Sequence, residues 1–210
     1  AYRETFREYR DSRTDYELAK EKYEKLGTLA ARDEAQKATK QFLSGGVAVL
    51  TEYLEILRTR VINHPSVDTE SVALVTEIIS SDLDAYGSYQ NSIEAGWSLQ
   101  RLETLSENLD LVYEEKEVNA MLANAVLVIA DMRGLQENIA TAAADVKFAV
   151  QSNPDYPGRE RILGDWYRKI TNKLEESNRV LSDASNSLQR FKDEEDVDDK
   201  KTLVGDNMES

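Results

Sequence analysis

The chain has no cysteine in its 210 residues, so disulfides, thiolate zinc sites and cysteine nucleophiles are excluded. It has one histidine, His64, which removes most imidazole chemistry. A di-iron carboxylate bundle needs two Glu-x-x-His motifs, and the residue three before His64 is Val61. A Ser-His-Asp triad would have to recruit that same histidine, which precedes Pro65 in a turn; a solvent-facing loop histidine is expected instead. Proline (3) and glycine (9) are scarce, so the chain has few turn formers and should be built from long regular elements. Basic residues are also short in number, 26 against 40 acidic ones, and the net charge of −14 argues against nucleic acid or an anionic lipid surface as principal partner. No uninterrupted apolar run reaches the roughly 18–20 residues of a membrane span. The nearest, residues 121–130, is broken by Asn124 and reads as a buried helix segment, so no direct membrane span is expected.

Between the prolines, apolar residues follow a helical period and never a strand alternation. Tyr2, Tyr9, Tyr16 and Tyr23 recur every seventh residue, with Thr5, Ser12, Ala19 and Leu26 three places after each, predicting a helix over 2–26 that Gly27 stops. A second helix is predicted over 29–62. Its rows of Leu43, Leu50 and Leu57 and of Phe42, Val49 and Ile56 make a face wide enough to be buried against several neighbours. Gly45-Gly46 in its middle implies a kink or a close helix crossing, because each glycine costs about 1 kcal/mol against alanine there. Asp68 or Thr69 should cap a third helix with a stripe of Val72, Val75, Ile79, Leu83, Tyr86 and Ile93. Ser98 should cap the next, whose stripe resumes at Val118 and Leu122 and continues through Met132, Ile139 and Val146; a break is expected near residues 114–117. Residues 155–158 open the last helix, striped by Leu163, Tyr167, Ile170, Leu174, Leu181, Leu188 and Phe191 at alternating spacings of four and three.

The expected fold is therefore all-α: an elongated antiparallel helical bundle of about five or six helices with coiled-coil-like packing over 1–192. Residues 193–210 should form a disordered acidic tail. Charge is segregated along the chain: residues 64–153 carry net −11 and 193–210 net −6, whereas 1–63 and 154–192 are near neutral at +1 and +2.

No residue is singled out as catalytic, cofactor-binding or metal-ligating, and no cofactor is expected. The spacing from Gly158 to Gly164 lacks the four intervening residues and the lysine of a phosphate loop. A calcium loop starting at Asp196 would place Lys201 where glycine is needed. The tyrosine row is read as seam packing with hydroxyls at the rim, and the alternative is a binding surface. Arg3, Arg7 and Arg10 are interleaved with Glu4, Glu8 and Asp11, which describes a solvated face.

The segments Glu34-Ala35-Gln36-Lys37-Ala38-Thr39-Lys40 and 50–61, with Tyr53-Leu54-Glu55-Ile56-Leu57 followed by a turn, an acidic helix and Ser98-Leu99, resemble uncharacterised helical proteins, predicted to be exported, of candidate-phyla (Patescibacteria-type) bacteria. The resemblance covers about residues 1–150 and implies a secreted or surface location, with no active site to transfer. The chain opens at Ala1, which fits a trimmed methionine, a removed signal or anchor, or an artificial boundary. The function expected is that of a non-catalytic structural or protein-interaction bundle with an unidentified protein partner, self-association being open. The alternative is a helical module holding a small molecule or peptide between helices.

Overall fold

The computed structural model describes residues 2–96, 98–152, 160–191, 194, 199–202 and 204, without the side chains of Glu115, Glu160 and Gln189. Five long helices carry them: α1 (Tyr2–Leu26), α2 (Leu29–Asn63), α3 (Thr69–Glu94), α4 (Leu99–Gln151) and α5 (Glu160–Arg190). Residues 199–202 are helical too, and no described residue lies in a strand. The fold class is an all-α helical bundle, as the periodicity requires.

Helix ends sit where local chemistry satisfies the orphan backbone groups. Gly27 stops α1 with a φ of 59°, and its N–H donates to the Tyr23 carbonyl at 2.9 Å. Thr28 then caps α2, its Oγ1 accepting from the Ala31 N–H at 3.2 Å. Asp68, not Thr69, caps α3: its Oδ1 accepts from the Ser71 N–H at 2.8 Å. Ser98 caps α4 through the Arg101 N–H at 3.3 Å. The corner at 154–158 lies outside the described residues.

The chain divides into two compact units, residues 1–62 with 73–120 and residues 63–72 with 121–210. In the first, α1 and α2 run antiparallel, because Tyr2 meets Tyr53, Tyr9 and Tyr16 meet Phe42, and Lys22 meets Glu34. Phe42 is stacked between Tyr9 (centroids 5.4 Å, planes 18° apart) and Tyr16 (5.0 Å, 9°). The tyrosine row is thus a packing seam, although Leu26 at its end is 58% exposed. Gly45 and Gly46 leave α2 one helix and mark a close crossing instead. A Cβ on Gly45 would lie 3.3 Å from Ser12 Oγ and 3.5 Å from Tyr9 Cα. The α2–α3 and α3–α4 pairs are antiparallel as well, through Ser44–Gln90, and through Tyr89, whose hydroxyl donates to the Leu105 carbonyl at 2.7 Å.

In the second unit, the C-terminal half of α4 runs antiparallel to α5, with Arg133 bonded to Ser185 and Gln136 to Ser177. Lys147 lies 4.2 Å from the ring centroid of Tyr167. Burial here is graded. Leu122, Val126, Ile129, Leu181, Leu188 and Phe191 are buried, whereas Leu135, Ile139, Val146, Phe148, Ile162 and Trp166 are exposed.

Four expectations need correction. α4 is one helix, with no break at 114–117, because the glutamates there are good helix formers and neither glycine nor proline interrupts them. The buried position on the α3 stripe is Asp82, with Leu83 only half-buried. Met132, Ile139 and Val146 are exposed where the α4 stripe placed them inside, since among the described residues of the unit α5 alone is a long helix packed along that stretch of α4. The acidic tail, where it is described, is not featureless. Residues 199–202 are helical and Val204 is fully buried, because an apolar side chain within a polar segment can still find cover; the remainder lies outside the described residues.

An 18-residue window of α4 is apolar enough, by length and composition, to cross a membrane; 44% of it is buried in the protein, and a bundle's core helix meets the same criterion.

Candidate functional site

Three places gather polar groups or leave apolar side chains exposed. The first, in the first unit, is built on Asp82, whose carboxylate is fully buried. Both its oxygens accept from Asn119 Nδ2, at 3.0 and 2.9 Å, and the Lys116 ammonium stands 3.5 Å from Oδ1. Tyr86, one helical turn along α3, has its phenol pushed up by burial, then by the negative charge of Asp82 and by Tyr113. Asp82 lies at the 3–4 spacing from Ile79 and Tyr86, so a stripe position filled by a carboxylate was the available signal; the neighbouring Leu83 concealed it. The group is closed on itself: the carboxylate meets its charge partner and hydrogen-bond donor inside the bundle.

The second lies at the α2–α3 turn. Arg133 of α4 donates to Asp68 Oδ2 at 3.0 Å and to Ser185 Oγ at 2.6 Å, tying that turn, α4 and α5 together. Burial alone would raise the Asp68 pKa, but bonds from the Ser71 N–H, Arg133 and the Ser71 hydroxyl outweigh it and hold the carboxyl below its ordinary value. His64 is not a loose loop residue. The Ser66 N–H donates to its Nδ1 at 3.2 Å, which leaves Nε2 as the nitrogen that donates to Asp131 Oδ1 at 3.0 Å. A serine and an aspartate thus flank the histidine, but the serine bonds through its backbone and the geometry is not that of a catalytic triad. The arrangement braces a turn.

The third is an apolar groove between α4 and α5 in the second unit, with a volume of about 440 Å³. Met132, Leu135 and Ile139 form one wall and Trp166, Ile170 and Leu174 the other. Gln136 and Ser177, bonded to each other, form a polar link between the helices. Among the described residues, Lys169 and Lys173 are its charged lining residues and no acidic side chain lines it. Lys173 pairs with Glu176 one turn further on, at 2.5 Å, and that bond followed by the ammonium charge lowers the glutamate pKa. Met132, Ile139, Ile170 and Leu174 were legible in sequence as helical packing positions; Leu135 and Trp166, and the exposure of this face among the described residues, were not.

Among the described residues, no group of three or more acidic or histidine side chains is placed to hold a metal ion. Fold and groove together define an all-α bundle with an open apolar face. No family model, curated protein or solved structure matches the chain.

Proposed function

We propose that the chain is a non-catalytic interaction bundle that engages a protein partner through the α4–α5 groove. The observation that carries this reading is the exposure of large apolar side chains that line the groove from two adjacent helices: Leu135 at 58%, Met132 at 42%, Ile139 at 41% and Trp166 at 40%. Isolated exposed hydrophobes are ordinary, but a contiguous set lining one concavity is the usual mark of a contact surface. An aromatic anchor, aliphatic walls and a polar edge are what interface cores share. The polar clusters at Asp82 and Arg133, in contrast, are occupied by their own partners and support structural roles.

The groove volume also favours a second reading, a module holding a small molecule or peptide, since small-molecule sites fall in the same range. Photo-crosslinking groups placed at positions 135 and 166, with position 87 as an exposed control, separate the two in the cells that make the protein. Adducts of protein size at 135 and 166 alone are expected. Adducts at position 87 to the same extent, or at none of the three, would overturn the proposal.

A further inference from the structure

We propose that the occupant of the groove is an acidic amphipathic α-helix from a partner protein; this rests on the docking reading above. Length is the first reason. Exposed apolar residues continue beyond the groove at helical spacing, from Val128 to Val146 along α4 and from Ile162 to Val180 along α5. In the antiparallel register set by Gln136–Ser177 and Lys147–Tyr167 the two stretches overlap over about 12 residues, about 18 Å at 1.5 Å per residue, more than three helical turns and longer than a small molecule needs. Two antiparallel helices that leave a shared apolar face open are completed by a third helix laid between them, its own stripe supplying the knobs.

Charge is the second reason, and it selects the occupant. Lys169 and Lys173 stand one turn apart in the lining, and among the described residues the lining holds no acid. A helix with carboxylates at matching i, i+4 positions beside its apolar stripe would meet both ammonium groups. The pair between Lys173 and Glu176 is exposed on both sides, 79% and 63%, and is readily exchanged for one across an interface. A second copy of the same face fits less well. Two such grooves set face to face would oppose Lys169 and Lys173 to each other, and like charges across an interface are repulsive. The net charge of −14 sharpens the distinction, because long-range attraction by the whole chain favours a basic ligand. Any preference for an acidic helix must therefore arise locally.

The test uses the full chain and two synthetic amphipathic peptides of about five turns with one common leucine stripe, flanked either by glutamates or by lysines. Calorimetry at low salt should show the glutamate peptide binding about tenfold more tightly than the lysine peptide, and the preference should shrink as salt rises. The double variant Lys169→Glu/Lys173→Glu, altered only at the groove's lysines, should reverse the order. Leu135→Glu should weaken both peptides. Equal or tighter binding of the lysine peptide by the parent chain, or an order unmoved by the double variant, would overturn the inference. So would sedimentation showing a dimer that Ile139→Glu dissolves, which would make a second copy the occupant. Protein adducts at 135 and 166 in the crosslinking experiment, with no preference for the glutamate peptide, would retain the docking reading and remove only the acidic helix.

Discussion

Asp82 and Asp68 are both carboxylates held by specific partners, and burial makes them behave differently. Asp82 is fully buried, so removing it takes the acceptor from the Asn119 amide and one charge partner from the Lys116 ammonium in a place where water replaces it poorly. Asp82→Ala should cost about 2–4 kcal/mol, read by urea denaturation, and the double variant Asp82→Leu/Asn119→Leu should recover part of that. A change within the noise for Asp82→Ala would mean that the cluster is already hydrated. Asp68 is a half-open cap. Asp68→Ala should cost about 1 kcal/mol through the lost cap, and Asp68→Asn less, because asparagine also caps. Since the folded pKa lies below the unfolded one, the charge-dependent part of the Asp68 contribution is present above about pH 4 and is lost as pH falls through the folded value. The gap between wild type and Asp68→Asn should therefore close in acid; a gap that widens would contradict the ion pair with Arg133.

The helices owe their pairing to a few residues that interlock. Phe42 between Tyr9 and Tyr16 joins α1 to α2. Phe42→Ala should cost about 2–3 kcal/mol, below the value for a fully buried phenylalanine because the ring is only half-buried. The glycines of α2 and α3 make a matched control. Gly87 sits in an exposed helix interior, where an added methyl would meet nothing within 4 Å, so Gly87→Ala should stabilise by about 0.5–1 kcal/mol. At Gly45 the same gain is opposed by Ser12 Oγ and the Tyr9 backbone, and Gly45→Val should destabilise. Thermal melts of the two variants beside the parent chain rank them, and a Gly45→Val variant as stable as Gly87→Ala would show that α1 is not held against α2.

Over the whole molecule, charge of one sign is the dominant feature. A net −14 is concentrated in residues 64–153 and 193–210, and the repulsion it generates weakens when salt shortens the screening length from about 30 Å at 10 mM to about 10 Å at 100 mM. The melting temperature should accordingly rise over that range. A fall would mean that exposed ion pairs such as Arg13–Glu17 and Arg168–Asp165 outweigh the repulsion, which their high exposure makes a weak force. Apolar burial is unevenly shared as well, with Leu181→Ala expected to cost about 2–4 kcal/mol and Leu135→Gln to stay within about 0.5 kcal/mol.

Sequence alone determined the all-α class, the stop at Gly27 and the cap at Ser98, and it narrowed the α3 cap to Asp68 or Thr69 and favoured a seam role for the tyrosines. Each of these depends on periodicity or on backbone groups a few residues apart, which are local quantities. Tertiary structure alone decided three things. It chose Asp82 over Leu83 for the interior, because Asn119 and Lys116, distant in sequence, supply its partners. It placed Asp131 against His64. It left Met132, Leu135 and Ile139 exposed, since a stripe of apolar residues states that a helix has a face to bury and is silent about whether another helix arrives to cover it.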